Sequence, residues 1–105
     1  MAQVALLAEF EVKAQDLDLF IAAARREVDA VHANEPSCVT FEVVLLNGEQ
    51  GRGVFIEIFK DQAAAEAHRT TPHFTAFFDE IAGLDVKFFP RRGAVLGGGT
   101  PSERL

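Results

Sequence analysis

Apolar and polar residues alternate in four stretches of this chain and recur every three or four positions in the stretches between them. Over residues 3–12, Val4, Leu6, Ala8, Phe10 and Val12 share one side of an extended chain, with Leu7, Glu9 and Glu11 on the other. That period of two predicts a first strand. Over residues 16–33, Leu17, Phe20, Ile21, Ala24, Val28 and Val31 recur at helical spacing. Asp16 and Asp18 stand in the first turn of this helix, where the backbone dipole favours negative charge. Asn34-Glu35-Pro36 ends it, because a residue before proline is pushed out of the helical region. Residues 38–46 and 54–60 predict a second and a third strand. The link 47–53 makes them an antiparallel hairpin, and its three glycines are expected to supply positive φ. Residues 61–82 predict a helix in two pieces, the first capped by Asp61 and the second restarted by Thr71-Pro72. Phe74, Phe77, Phe78 and Ile81 form the stripe of the second piece, and Gly83 is its expected C-cap. Residues 84–90, extendable to 96, predict the last strand. The order β-α-β-β-α-β predicts an α+β, ferredoxin-like fold: one antiparallel sheet with helices on one face.

Such a sheet should be polar on its open side, and these strands are not. Val39, Phe41, Val43 and Leu45 make one face of the second strand, yet Val44 and Leu46 lie on the other. In the third strand Val54, Ile56 and Ile58 oppose Phe55 and Phe59. Helices can cover only one of these faces. A large bare apolar surface is rare on a soluble monomer, so a homodimer packed sheet against sheet is expected.

Composition narrows the function classes. The chain has 105 residues, enough for one domain, expected over 1–96 with a flexible tail at 97–105. Its 10 basic and 16 acidic residues give a net charge of −6, a poor match for a nucleic-acid backbone or an anionic membrane surface. A single cysteine excludes an internal disulfide, and a cytoplasmic setting is expected. The N-terminal segment lacks the basic start of a signal peptide, and no run approaches a membrane span. All 10 aromatic residues are Phe, so the rings bring no O–H or N–H of their own.

Few residues remain as candidates for chemistry. Glu57 lies inside the apolar run VFIEIFK on the face of Phe55 and Phe59. It reads as a cavity-lining acid that orients a histidine, or as one half of a structural ion pair. Glu42 resembles it in CVTFEVVLL, but the preferred register sets Val39, Phe41 and Val43 beside Glu57 and turns Glu42 away, as a solvated or rim residue. His68 and His73, in AEAHRTTPHF, are spaced so that both could point into one pocket and move a proton near neutral pH. A helix-end His68 and a cap-side His73 are the plainer alternatives. His32 reads as surface. Arg91 and Arg92 read as a solvated strand end that could also bind an anionic group. Phe41, Phe55, Phe59 and Phe77 could line a flat apolar pocket between helix and sheet, suited to a small aromatic ligand. Cys38 and the scattered carboxylates supply no convincing ligand set, so no metal is expected.

Three segments carry a family likeness. EPSCVTFEV, FIEIFKD and AEAHRTTPHFTAF resemble the EPGC, F-x-x-x-E-x-aromatic and H-x-x-x-x-HF patterns of the antibiotic biosynthesis monooxygenase family. The likeness covers about residues 3–90. It implies a dimeric α/β barrel with one pocket per subunit. It also implies an oxygenase that works on quinols or aromatic polyketides without metal or flavin. In that chemistry a base removes a proton from an electron-rich substrate and the anion reacts with O2. His68 or His73 beside Glu57 would supply the base, and Phe41, Phe55, Phe59 and Phe77 the substrate contacts, with no cofactor. Phe59 stands where the family often has Trp or Tyr. Haem degradation, which relies partly on such residues in relatives, is therefore not expected. An acid–base isomerase of a small polar metabolite and a non-enzymatic binding module are the alternative readings.

Overall fold

The computed structural model describes residues 2–98; the expected tail lies outside them from residue 99 onward. In chain order the elements are β1 (Val4–Val12), α1 (Leu17–Asn34), β2 (Cys38–Leu45), β3 (Arg52–Phe59), α2 (Gln62–His68), α3 (Pro72–Ile81) and β4 (Val86–Ala94). The four strands form one antiparallel sheet in the order β2-β3-β1-β4. This is the ferredoxin-like α+β arrangement that the periodicity predicts. No described helix is long and apolar enough to cross a membrane.

Registers fix the two faces of the sheet. Leu6 pairs with Glu57 and with Arg92, and Phe41 pairs with Glu57. Phe41, Glu57, Leu6 and Arg92 therefore form one row on the helix-covered face. Val43, Phe55, Ala8 and Pro90 form the next row. Glu42 pairs with Ile56 on the opposite face, as the preferred register requires. Val39 departs from that register. A bulge between Cys38 and Thr40 sets Cys38, not Val39, opposite Phe59, and Val39 is exposed. An extra residue in one strand shifts its alternation locally.

Under the helices, Phe10, Phe20, Phe55 and Phe77 pack with neighbouring ring centroids 4.7–6.3 Å apart. Ala23, Ala24 and Val31 of α1 and Ile81 of α3 complete the core. The tilted and edge-on ring arrangements suit the aromatic quadrupole. Gly53 belongs to β3 and not to the turn. A Cβ there would stand 2.5 Å from the Phe10 ring, so the glycine is required by close approach. Gly48 and Gly51 take the positive φ that the turn needs; Gly53 does not.

The helix ends follow local chemistry. Asp61 accepts a hydrogen bond from the Ala64 amide at 2.8 Å, and Thr71 accepts one from the Phe74 amide at 3.3 Å, with Pro72 opening α3. Asp16 instead accepts from the Asp85 amide at 2.8 Å, tying the start of α1 to the start of β4. Gly83 lacks the left-handed conformation of a C-cap; α3 closes through Ala82, whose amide donates to the Asp79 carbonyl. The open face of the sheet carries Leu7 (41% exposed) and Phe89 (51%), together with half-buried Val54, Ile56 and Ile58.

Candidate functional site

α1, β3 and the α2–α3 corner bring five ionisable side chains into one cluster between the sheet and the helices. His68 ends α2 and is 3% exposed. Its ring lies among Phe41, Phe59 and Phe74, with centroids 5.2–5.4 Å away. His68 Nδ1 lies 2.8 and 3.0 Å from the two carboxylate oxygens of Glu35. A carboxylate only accepts, so Nδ1–H donates, and the Nε2 lone pair is left to the other side of the ring. There Glu27 and Glu57 each place an oxygen 3.9 Å from Nε2. His73 Nε2 donates to the same Glu35 carboxylate at 2.5 Å. Glu35 thus bridges the two imidazoles.

Burial sets the charge states. Desolvation lowers the His68 pKa below its ordinary 6.5, although the Glu35 hydrogen bond opposes this. The ring is therefore a neutral base at neutral pH. Glu57 is pushed up to about 8, first by burial and then by the nearby Glu27 and Glu35 carboxylates, with Arg69 pulling the other way. Glu27 is pushed up to about 7 by burial; His73 opposes the shift and Glu35 adds to it. Its Oε1 is buried without a hydrogen-bond partner. A protonated carboxyl can donate as well as accept, which suits an acid facing an apolar space.

That space is a cavity of about 370 Å³, within the range of small-molecule sites. Buried Glu27, Glu57 and His68 are among its lining residues. Leu6, Ala8, Phe41 and Phe55 of the sheet form one wall, and Phe74, Phe77 and Phe78 of α3 face them. Phe88, Pro90 and Arg92 of β4 and Arg69 after α2 complete the lining.

Of the residues expected to build the site, His68, Glu57, Phe41, Phe55 and Phe77 line one cavity. Phe59 does not line it; its ring is buried behind His68. His73 does not line it either, and reaches the cluster through Glu35. β4 runs on through residues 91 and 92, so these are not a strand end. Arg92 faces the cavity and Arg91 pairs with Leu7 on the open face. His32 is exposed, and its Nε2 donates to the Phe41 carbonyl at 3.1 Å. Burial pushes the Cys38 thiol up to about 12, which leaves it a poor nucleophile.

Glu27 and Glu35 were not among the sequence-derived candidates. Glu27 falls within the apolar stripe of α1, seven residues after Phe20 and four before Val31, and a charged residue inside such a stripe is the signal. Glu35 had a signal only in its place in EPSC, since its other reading was as part of the helix stop. Glu27, His68 and His73 each offer a ligand atom within 4.8 Å of the others, and among the described residues this is the set that could hold a metal ion. The His68 and His73 nitrogens nearest Glu35 are already engaged by its carboxylate.

Residues 3–80 match the family model of the antibiotic biosynthesis monooxygenases. The match takes in Glu27, Glu35, Glu57, His68 and His73 and stops before β4. The fold is similar to a Caulobacter crescentus CB15 protein assigned as such a monooxygenase (TM-score 0.86, 18% identity, covering 91% of this chain and 92% of that one). A Nitrosomonas europaea protein with the same assignment has a TM-score of 0.83 and 21% identity over 90% of each chain. Rv0793 of Mycobacterium tuberculosis has a TM-score of 0.81 and 18% identity, over 93% of this chain and 99% of that one. At these identities the structural likeness speaks for the fold alone. No curated protein matches the sequence significantly.

Proposed function

The chain belongs to the antibiotic biosynthesis monooxygenase family, and on that premise we propose that it is a cofactor-independent monooxygenase of a small hydroxylated aromatic or quinol. The observation that carries this reading is the His68 imidazole. It is buried, held through Nδ1 by Glu35, and has Nε2 directed toward a Phe-walled cavity. Proton removal needs a base that is neutral near pH 7 and shielded from water, and this ring meets both needs.

The chemistry balances without an external reductant. In its keto form the ring presents a carbon bearing two hydrogens. His68 Nε2 takes the first as a proton. The carbanion passes an electron to O2, and recombination forms a C–O bond to a peroxide. The second C–H bond and the O–O bond then break, leaving a quinone carbonyl and hydroxide. Hydroxide takes back the proton held on His68 and departs as water. One oxygen atom enters the ring, one becomes water, and all four electrons come from the substrate. Glu57 and Glu27, as protonated acids, hydrogen-bond the substrate oxygens as negative charge develops there.

The same reading includes a homodimer, supported by Leu7, Phe89, Val54, Ile56 and Ile58 on one sheet face, a surface that a second copy would cover. The test of the activity is oxygen uptake by metal-free protein with a panel of quinols and phenols. Uptake by the parent and its loss in His68→Ala supports the reading. Turnover that continues anaerobically favours an acid–base isomerase.

A further inference from the structure

Glu27, Glu57 and His68 line the buried part of the cavity. Arg69, directly after α2, and Arg92, from the β4 position that pairs with Leu6, line its exposed side. Both arginines are exposed. Among the described residues the guanidinium ion pairs are Arg26–Glu80 and Arg52–Glu11; neither Arg69 nor Arg92 has a carboxylate within 4.0 Å. Arg69 acts on Glu57, yet burial keeps Glu57 raised to about 8 and Glu27 to about 7, so below pH 7 neither acid carries a full opposing charge. Two arginines outside any ion pair among the described residues thus line the exposed side of the cavity in a chain of net charge −6.

The geometry points to a substrate whose aromatic ring carries a carboxylate arm, with the carboxylate bound by Arg69 and Arg92 and the ring hydroxyl directed to the buried acids Glu57 and Glu27. This rests on the reading of the cavity as a site for a hydroxylated aromatic and names the class of that ring. A guanidinium presents its N–H donors in a planar fork that matches a carboxylate. Two such forks on the exposed side, from the end of α2 and from β4, fix which end of the ring enters first. They leave the Phe55 and Phe77 faces to hold the ring and the buried acids to bind its hydroxyl. An ester or an unsubstituted quinol fills the same apolar space without engaging the arginines.

Binding rather than turnover tests this, so its failure and that of the oxygenase reading are distinguishable. Calorimetric titration of the full chain at pH 6.0 compares 2,5-dihydroxybenzoate and 2,5-dihydroxyphenylacetate with their methyl esters. The result expected is binding of at least one acid roughly ten-fold tighter than its ester, weakening as salt rises from low to high ionic strength. In the Arg69→Gln/Arg92→Gln double variant the acid should fall to the affinity of the ester, with the ester little changed. Arg92→Lys, which keeps the charge and loses the fork, should lie between. Both sites are exposed, and an unchanged melting temperature verifies folding. Equal affinity of acid and ester in the parent, an acid preference that survives the double variant, or no binding of either acid overturns the assignment. Selective acid binding without oxygen uptake would leave this site standing and sink the oxygenase reading.

Discussion

Glu35 Oε2 lies 2.8 Å from His68 Nδ1 and 2.5 Å from His73 Nε2. One carboxylate thereby fixes the tautomer of the ring that faces the cavity and anchors it to a second imidazole that does not. Glu35→Gln keeps the size of the side chain but can also offer an N–H to the ring, so the Nδ1–H form of His68 is no longer enforced. The expected outcome is a loss in kcat on the order of 10–100-fold with KM little changed. Steady-state oxygen uptake measures it. An unchanged kcat would remove Glu35 from the account.

The pH dependence of turnover follows from burial. His68 has its pKa lowered, so the basic form is gained as pH rises through a value below 6.5. Glu57, raised to about 8, loses its proton near that pH and with it the donor to the substrate. Glu27, raised to about 7, loses its proton earlier. A plot of log kcat/KM against pH should climb on the acid side below 6.5 and fall in two stages, near 7 and near 8. In Glu57→Gln the stage near 8 should vanish while the acid limb and the stage near 7 stay.

Stability moves oppositely to the usual carboxylate pattern. A carboxyl raised in the folded state binds its proton more tightly there than in the unfolded chain. Glu57 therefore costs nothing at a pH below its ordinary value of 4.5, and stability is lost as pH rises from there toward 8. Glu57→Gln should gain on the order of 2–4 kcal/mol relative to the parent on going from pH 5 to pH 8. Urea unfolding at the two pH values checks this. A constant difference would mean that Glu57 is not held protonated in the fold.

Gly53 offers a test of the sheet that supports the site. A methyl group at this position meets the Phe10 ring at 2.5 Å, and the ring is itself packed against Phe20 at 4.7 Å. Gly53→Ala should destabilise the protein by about 1–3 kcal/mol, read as a lower urea midpoint at unchanged slope.

Much of this architecture is legible in the sequence because local and global signals agree. Asp61 and Thr71-Pro72 mark helix starts by chemistry that involves only neighbouring residues, and the structure uses both caps. Alternation in β1 and β3 fixes which residues face the helices, whereas the hairpin register is only a preference in the sequence, and it is the strand pairing that separates Glu42 from Glu57. What escapes is what depends on partners distant in sequence. Gly53 looks like a turn glycine until Phe10 is seen lying over it. The bulge beside Val39 leaves no mark in the pattern of apolar residues. Asp16 gives its carboxylate to Asp85 instead of to its own helix. Glu35 looks like part of a helix stop because its bonds reach 33 and 38 residues along the chain to His68 and His73. His73 fits a pocket-facing position by spacing alone, yet the turn between α2 and α3 brings it to Glu35 and not to the cavity.

The central claim is that His68 acts as the base of a reaction in which O2 itself supplies an oxygen atom to the substrate. Turnover of a reactive quinol under 18O2, with the product analysed by mass spectrometry, tests it most directly. The account predicts one labelled oxygen atom per product molecule from the parent protein and essentially no enzymatic product from folded His68→Ala. Product formed without label, or formed equally fast by His68→Ala, would contradict it.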